Sequence, residues 1–433
     1  MKISRQFTDS QLILHADPGP DDIEFQATRK GKLSRKAVEF SLPEAFDPDH
    51  THPDLIALVA LLVFGPFTAR NIEFDWRISA EFAEAVLTSF KRRAGLSDPQ
   101  IESRKAKPEY RPALAFSGGV DSFAALAVMP EDTVPVFCHR IVPDGHRAGL
   151  YRADAALRAC EDLKKSHDIQ IVRTTMEFAR DPVGFSVDWT NGCGAVLLAD
   201  HLGLDSVAFG LIMESAYFIG HPKYSDLESR SIYAAWAPIF ASTGLPMYMP
   251  VAGLSEVVTS KIAIKHERRW HAESCVRGKV EEPCLKCFKC FRKTILDHRI
   301  RGRALDSSHF DIALTSREVK SKLLTVPIHH ENVLAYSLFG LTAESNPVLD
   351  ALRQKTISLQ EYGRDLLFLE RHYPRSIRLI PEKYREATVE RIHGFAQPAT
   401  VEDIETIEGW NTQHLTETDR YKEGHSTLEN ILG

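Results

Sequence analysis

Between residues 112 and 210, short apolar runs typical of buried strands alternate with longer segments of helical periodicity. The predicted strands are 113–116, 134–139, 169–174 and 206–211, and the predicted helices are 121–128, 153–164 and 191–202. Strands separated by helices of this length pair in parallel through right-handed crossovers. The pattern therefore predicts an α/β fold with a parallel sheet, and ligands of such sheets bind beyond the carboxyl ends of the strands.

The segments on either side of this core have different patterns. Residues 1–105 predict a small α+β unit, with strands at 11–15, 22–28, 37–42 and 71–78 and helices at 55–64 and 79–93. Beyond residue 301 the pattern is helical, and candidate capping boxes lie at residues 315–318 and 400–403. We therefore predict three domains, at 1–105, 106–300 and 301–433.

Composition and charge narrow the class of protein. The chain has 433 residues, 43% of them hydrophobic, and a net charge of -6, which is typical of a globular protein without a bulk basic field for nucleic acid. Nucleic-acid binding would need a local patch and stays an open question. The longest apolar run, 55–64, is too short to cross a bilayer, and no apolar signal segment follows Met1. We expect a cytoplasmic protein without membrane contact.

The turn between the first strand and the first helix of the core reads Ser117-Gly-Gly-Val-Asp-Ser122. A Ser/Gly turn that opens a helix directs backbone N–H groups, hydroxyls and the helix N-terminus at one anion, and glycines let the backbone approach phosphate. Asp121 could cap the helix or help to hold Mg2+. A glycine turn with a serine cap and no nucleotide is the alternative.

Four of the seven cysteines lie in one short segment, with eight, two and two residues between them: Cys275, Cys284, Cys287 and Cys290. Thiolates at this spacing can converge on a closed tetrahedral Zn2+ site, which is structural rather than catalytic. An iron–sulfur cluster is the alternative. The bacterial ferredoxin run, however, continues with Cys and Pro where this chain has Thr294 and Ile295.

With both motifs in view, residues of about 110–295 resemble the QueC-like family, the 7-cyano-7-deazaguanine synthases of the PP-loop N-type ATP pyrophosphatases. That family pairs a Ser-Gly-Gly-x-Asp-Ser loop with a downstream four-cysteine zinc site, in the order and spacing seen here. Asn191 ahead of a predicted helix, and Cys275 after Trp270 and Ser274, match as well.

The resemblance implies an ATP- and Mg2+-dependent carbon–nitrogen ligase that forms AMP and pyrophosphate. Its relatives adenylate the carboxylate of 7-carboxy-7-deazaguanine, and ammonia then displaces AMP to give an amide and, after further activation, a nitrile. Asp121 and Ser122 are the implied catalytic residues. The implied ATP-binding residues are Ser117, Gly118, Gly119, Val120, Asp121, Ser122, Asn191 and Gly210.

The chain departs from the family where the substrate should be recognised. The family's Tyr-Pro-Asp-Cys-Arg element is replaced by a different sequence, in which Glu214, Tyr224 and Asp226 are the candidates for substrate contact. Glu256 stands where the family has a lysine. The basic residues around the cysteines, Lys289 and Lys293 among them, are candidates to offset thiolate charge or to face an anionic ligand.

QueC-like proteins with added domains occur in bacterial antiphage defence operons, which implies transfer of a deazaguanine to an amine on a protein partner or to a nucleic acid. The two flanking regions are candidates for contact with a protein partner, and a homodimer is a further candidate. One alternative is a PP-loop tRNA-modifying enzyme, which predicts an iron–sulfur or persulfide cysteine. The other is a defence scaffold that binds a nucleotide without turnover.

Overall fold

The computed structural model describes residues 1–147, 149–267 and 270–433, and for residues 357–358 and 360–365 the backbone alone. The strands are β1 (Lys2–Phe7), β2 (Gln11–Asp17), β3 (Lys32–Leu33), β4 (Ala37–Ser41), β5 (Asn71–Phe74), β6 (Ile78–Ser79), β7 (Arg93–Ala94), β8 (Ser97–Asp98), β9 (Arg111–Phe116), β10 (Val134–Arg140), β11 (Gln170–Thr174), β12 (Arg180–Asp181), β13 (Leu204–Ala208) and β14 (Met247–Tyr248).

The α-helices follow in chain order. They are α1 (Pro20–Ala27), α2 (Pro53–Phe64), α3 (Ala80–Phe90), α4 (Val120–Val128), α5 (Asp154–Leu163), α6 (Cys193–Leu197), α7 (Ala199–Leu202), α8 (Met213–Ala216), α9 (Ser231–Ala234), α10 (Ala237–Ser242), α11 (Glu256–His266), α12 (Phe288–Arg301), α13 (Ser308–Leu314), α14 (Arg317–Leu323), α15 (Glu331–Phe339), α16 (Pro347–Gly363), α17 (Glu382–His393), α18 (Val401–Glu408), α19 (Gln413–Thr416) and α20 (Asp419–Leu432).

One sheet of ten strands organises the molecule, in the order β14-β13-β9-β10-β11-β4-β2-β1-β5-β7. The five strands from β14 to β11 are all parallel. β4 then pairs antiparallel with β11, and β2 and β1 continue the antiparallel part before β5 and β7 return to parallel pairing. The predicted α/β class and its parallel central sheet are confirmed in this mostly parallel sheet.

The order of strands along the sheet reverses at β9, which makes the carboxyl end of that strand a topological switch point. β10 and β11 lie on one side of β9, whereas the later strands β13 and β14 lie on the other. Loops that turn away from each other at such a switch point leave room for a ligand between them. The Ser117–Ser122 turn follows β9 directly, so it lies at this switch point.

Both faces of the central sheet are buried. Along β9, Ala113 and Ala115 belong to the apolar core that contains α2, whereas Leu114 and Phe116 belong to the core that contains α4. This alternation follows from the period of two in a strand. Helix α2 explains the longest apolar run of the sequence: every residue from Asp54 to Phe64 is buried. Among the described residues, no helix combines the length and apolar character needed to cross a membrane.

The N-terminal and C-terminal regions pack directly on this core. β4 extends the central sheet beyond β11, and Tyr384 of α17 donates a hydrogen bond of 2.6 Å to Asp205 of β13. The division at residues 105 and 300 stays a prediction, but structural contacts cross both boundaries. Helices make up most of the described C-terminal region, as its pattern indicated.

Some local predictions were wrong. Residues 22–28 form most of helix α1 rather than a strand: Pro20 begins the helix, and Asp22 accepts a hydrogen bond of 2.9 Å from the Gly19 N–H. The predicted helix at 191–202 is divided into α6 and α7 at Leu198. Strand β1 was missed because polar residues interrupt its apolar alternation.

The two capping boxes had different outcomes. At 400–403 the prediction is confirmed, since Asp403 N donates to Thr400 Oγ1 at 3.2 Å and Thr400 N donates to Asp403 Oδ2 at 2.8 Å. At 315–318 it was wrong: Thr315 Oγ1 donates to the Ile312 carbonyl at the end of α13, and Glu318 pairs with Arg277 instead.

Candidate nucleotide and metal sites

The turn between β9 and α4 can be built only with glycine at its second position. Gly118 has φ +75°, which lies in the left-handed region. A Cβ atom there would lie 2.8 Å from the Cα of Ala156 in α5, closer than packed atoms tolerate. The absent side chain lets the backbone turn sharply from the strand into the helix.

Two hydroxyls support this turn. Ser122 Oγ donates to the Gly119 carbonyl at 2.9 Å, and Ser117 Oγ lies 3.1 Å from Ser122 Oγ. Gly119 is the N-cap of α4, and within the described part of the chain no side chain caps the helix there. The N–H groups of a first turn need acceptors, and an anion supplies them. The turn therefore forms a cradle of hydroxyls, amides and a helix N-terminus.

Asp121 does not cap α4. Its Oδ1 accepts a hydrogen bond of 2.8 Å from Thr259 Oγ1 on α11 and lies 3.6 Å from Lys293 Nζ on α12. The sequence left two roles open for Asp121, a cap of α4 or a ligand of Mg2+. Its described contacts are those of a carboxylate that faces α11 and α12, and they do not include a capping hydrogen bond. The Asp121 side chain is 26% exposed, so a ligand from solvent can reach its carboxylate. Proteins often bind Mg2+ through one or two carboxylates together with the phosphates of a substrate.

Gly210 lies against the same turn. It follows β13, and a Cβ atom on it would lie 3.0 Å from the backbone nitrogen of Ser122. Asn191 has different neighbours, because its carbonyl accepts a long contact of 3.5 Å from Cys138 Sγ on β10. Its Oδ1 is buried without a hydrogen-bond partner among the described residues. Of these two predicted ATP-binding residues, Gly210 thus lies at the loop, whereas the described contact of Asn191 is with β10.

The four cysteines converge on one point. The Sγ atoms of Cys275, Cys284, Cys287 and Cys290 all lie within 4.8 Å of one another. Cys284 Sγ and Cys290 Sγ are 3.8 Å apart, which matches the edge of a tetrahedron with Zn–S bonds of about 2.3 Å, or ~3.8 Å. The cluster could therefore hold a metal ion such as zinc.

Backbone N–H groups orient two of these sulfur atoms. Cys284 N lies 3.4 Å from Cys275 Sγ, and Cys290 N lies 3.4 Å from Cys287 Sγ at the N-cap of α12. Hydrogen bonds from the thiol and the N–H of Cys290 help to lower the pKa of Cys287 to about 5. The same contact raises the pKa of Cys290, and burial raises that of Cys284, so it is the convergence of the four sulfur atoms that fits a metal.

The other three cysteines are poor thiolates. Burial raises the pKa of Cys138 and of Cys160 to about 12, and that of Cys193 well above its usual value. A persulfide or thiolate nucleophile needs an accessible thiol of low pKa. These three residues therefore do not provide the reactive cysteine that a sulfur-transfer enzyme requires.

Helix α12 joins the two sites, a connection that sequence reasoning missed. It begins directly after Cys287, and its Arg292 and Lys293 lie 2.9 Å and 3.0 Å from the carboxylate of the buried Glu256. Burial opposes the charge on Glu256, but these two cations keep its pKa below the usual value. The sequence shows the basic residues near the cysteines, but it does not show that Glu256 on α11 is their partner.

The three candidates for substrate contact have hydrogen-bond or ion-pair partners outside the loop. Glu214 is fully buried and accepts hydrogen bonds of 3.1 Å each from Glu256 N and Asn332 Nδ2. Tyr224 lies with its hydroxyl 3.3 Å from that of Tyr373, and Asp226 pairs with Arg378. All three side chains thus have polar partners in the C-terminal half of the chain. These contacts account for a carboxylate or a hydroxyl at each position without a bound substrate.

A cavity of about 320 Å³ lies between α11, α12 and the cysteine segment. It reaches from the first residue of α4 to the four cysteines, and its wall carries apolar, basic and acidic groups, the last being Glu267, Glu273 and Asp297. Its wall includes Val120, Ser260, Trp270, Cys275, Lys289 and Lys293. This volume suits a small molecule or part of one.

Fold and site together describe an α/β protein with a Ser/Gly turn at the switch point of its sheet and a cluster of four cysteines that could hold a metal. Residues 235–411 match a family of unknown function, DUF6395. The match covers less than half of the 433 residues, includes the four cysteines, and begins after the glycine turn. No curated protein and no solved structure matches the chain.

The buried carboxyl of Glu214 makes a prediction about pH. Burial, and then the charge of Glu256, raise the pKa of Glu214 from 4.5 to about 8. Between these values the folded protein keeps a proton that the unfolded chain has lost, so the wild-type protein loses stability as pH rises from 4.5 to 8. Glu214→Gln removes this loss, and we expect the variant to gain on the order of 3 kcal/mol over wild type between pH 5 and pH 8.

Urea unfolding of both proteins at pH 5 and pH 8 measures this difference. The matched control is the exposed Glu344→Gln, which removes one carboxylate without changing a buried group. Stability curves of wild type and Glu214→Gln that stay parallel across this range would show that Glu214 is ionised in the folded protein.

Proposed function

We propose that this protein is an ATP-dependent ligase of QueC-like type, which cleaves ATP to AMP and pyrophosphate in order to activate a carboxylate. The observation that carries the proposal is the Ser117–Ser122 cradle at the switch point of a parallel sheet, with Gly118 in the left-handed region and the first turn of α4 uncapped by any described side chain. Anions bind at such helix N-termini.

The residues of the cradle have separate roles in this proposal. The Ser117 hydroxyl and the N–H groups that follow Gly119, that of Ser122 included, bind the phosphates and stabilise the charge that grows on the leaving pyrophosphate, while the Ser122 hydroxyl holds the turn. Asp121 lies where a carboxylate can share a cation with those phosphates, and Mg2+ bound there would neutralise part of their charge. Gly210 leaves the space above Ser122 open, because a side chain there would meet the backbone of α4.

The first-choice acid is a deazaguanine carboxylate, and the acceptor is ammonia or an amine. This choice rests on the sequence resemblance. A carboxylate oxygen is a poor leaving group, and its transfer to AMP makes it a good one, so that an amine can attack the carbonyl carbon. The four cysteines would form a structural zinc centre next to the cavity. The raised pKa values of Cys138, Cys160 and Cys193 argue against a persulfide on any of these three residues, and the metal content of the four-cysteine cluster tests the iron–sulfur form of that alternative.

The test is the identity of the nucleotide product. The full chain is incubated with ATP, Mg2+ and 7-carboxy-7-deazaguanine, with and without ammonium, and AMP, ADP and pyrophosphate are quantified. We expect AMP and pyrophosphate in equal amounts, and at least about a hundredfold less of both with Asp121→Ala. Asp132→Asn, which alters an exposed carboxylate beyond the end of α4, serves as the control and should match wild type.

ADP as the product would contradict the proposal, because it requires attack at the γ-phosphate. Intact ATP together with retained ATP binding would favour the nucleotide-binding scaffold instead.

A further inference from the structure

Lys293 is the charged side chain of α12 that reaches the phosphate cradle. Its Nζ lies 3.6 Å from Asp121 Oδ1, 3.0 Å from Glu256 Oε1 and 3.5 Å from Ser260 Oγ. Asp121 is in the first turn of α4, directly beyond the glycine turn. The ammonium group is therefore next to the N-terminus at which an anion would bind.

The neighbours of Lys293 keep its ammonium group charged, and they allow it to move from Glu256 to another anion. Burial opposes the charge, but Asp121 and Glu256 outweigh it and raise the pKa of Lys293. Glu256 has a second cation, Arg292 Nη2, at 2.9 Å. Because Arg292 remains on Glu256, the ammonium of Lys293 can turn toward an arriving anion without leaving a buried carboxylate unpaired.

A triphosphate at the cradle needs such a cation. Asp121 carries a negative charge in the first turn of α4, and by itself it would repel phosphate oxygens at close range. Lys293 offsets that charge, and Lys289, one helical turn earlier, lines the same cavity as Lys293 and Val120. Both lysines are thus on the side of α12 that faces the cavity beside the loop.

The start of α12 is fixed by the four cysteines. Cys287 is the N-cap of the helix and Cys290 lies in its first turn, one turn before Lys293. With its two sulfur atoms in a closed cluster, the first turn has little freedom to move, and the lysine that follows is held in place. Less than two turns of helix separate Cys287 from Lys293, so a metal in the cluster would bear on the position of the lysine.

We propose that Lys293 contacts the phosphates of the nucleotide in the cradle, and that the metal-bound start of α12 positions it there. The inference rests on the proposed nucleotide binding and adds a binding residue from a distant part of the chain. It also makes the cysteine cluster a determinant of nucleotide affinity, in addition to its contribution to stability.

The experiment compares the dissociation constants of ATP and AMP, both with Mg2+, by calorimetry on the full chain. Lys293→Ala should weaken ATP binding by about 10- to 100-fold and AMP binding by much less, because the β- and γ-phosphates lose a cation. Lys293→Arg should restore most of the affinity. Lys30→Ala, which removes an exposed lysine of the N-terminal region, is the matched control and should bind as wild type.

A chelator-treated sample tests the coupling. Removal of the metal from wild type should weaken ATP binding about as much as Lys293→Ala does, and metal removal from Lys293→Ala should add little further loss. Metal content and melting temperature are measured on every sample. Lys293→Gln, which can still donate to Glu256 and Ser260, is the second variant if the alanine protein does not fold.

The outcomes separate this inference from the proposed function. If wild type binds neither nucleotide, the proposed function itself fails. If wild type binds ATP and Lys293→Ala binds it equally well, the phosphate contact is overturned. Equal losses of ATP and AMP affinity would also overturn it, because they indicate a structural role of the side chain.

Discussion

Gly118→Ala is expected to weaken ATP binding by at least about a hundredfold, or to abolish it. Two costs act together at this position. The backbone has φ +75°, which alanine adopts at a penalty, and the new Cβ would lie 2.8 Å from the Cα of Ala156. The atom that is hit belongs to the backbone of α5, so relief requires movement of the turn, and the cradle opens.

Gly145→Ala is the matched control for this prediction. Gly145 has nearly the same φ, +77°, but a Cβ atom on it meets no described atom within 4 Å. Its substitution therefore carries the backbone penalty without the collision, and ATP binding should stay within about threefold of wild type. Calorimetry gives both dissociation constants. Equal effects of the two substitutions would mean that the turn at Gly118 has no special part in binding.

Cys287→Ser is expected to abolish metal binding by the cluster and to lower the melting temperature markedly. Cys287 has two structural roles, as a member of the four-sulfur cluster and as the N-cap of α12. Serine can still accept the capping hydrogen bond, so the substitution removes mainly the thiolate. Metal content should fall from about one ion per chain to nearly none, since closed structural sites need all four ligands.

Cys138→Ser controls for the general effect of losing a sulfur atom. Cys138 lies outside the cluster, and a serine there can keep the hydrogen bond to the Asn191 carbonyl. Metal content, measured by elemental analysis, should equal that of wild type. A Cys287→Ser protein that retains a full complement of metal would show that the cluster is not the binding site. A brown protein with iron and sulfide would indicate the iron–sulfur alternative.

The elements that could be predicted from sequence are those whose signals are local. The glycine turn, the strand before it and the helix after it form a continuous stretch, and the structure places all three as expected. The four cysteines were grouped by their spacing alone, and their sulfur atoms do converge. Helix α1 was mistaken for a strand because Ile23 and Phe25 alternate with polar residues, as residues of a strand do. Pro20, which favours the start of a helix, was the better guide.

What could not be predicted depends on contacts between distant segments. Glu256 was recognised only as a departure from the family's lysine, and its buried pairing with Arg292 and Lys293 requires α11 and α12 to lie side by side. Glu214 looked like a loop carboxylate free for a ligand, whereas Asn332 and the backbone of Glu256 enclose it. Such pairs have no signature in a single sequence, because nothing local distinguishes a buried carboxylate from an exposed one.

The structure of the full chain with Mg2+ and α,β-methylene-ATP, which cannot be cleaved between those phosphates, tests the central claim most directly. We predict the phosphates over the first turn of α4, within hydrogen-bonding distance of Ser117 and Ser122 and beside Asp121. A nucleotide bound elsewhere, or a triphosphate directed away from the carboxyl ends of β9 and β13, would contradict the claim.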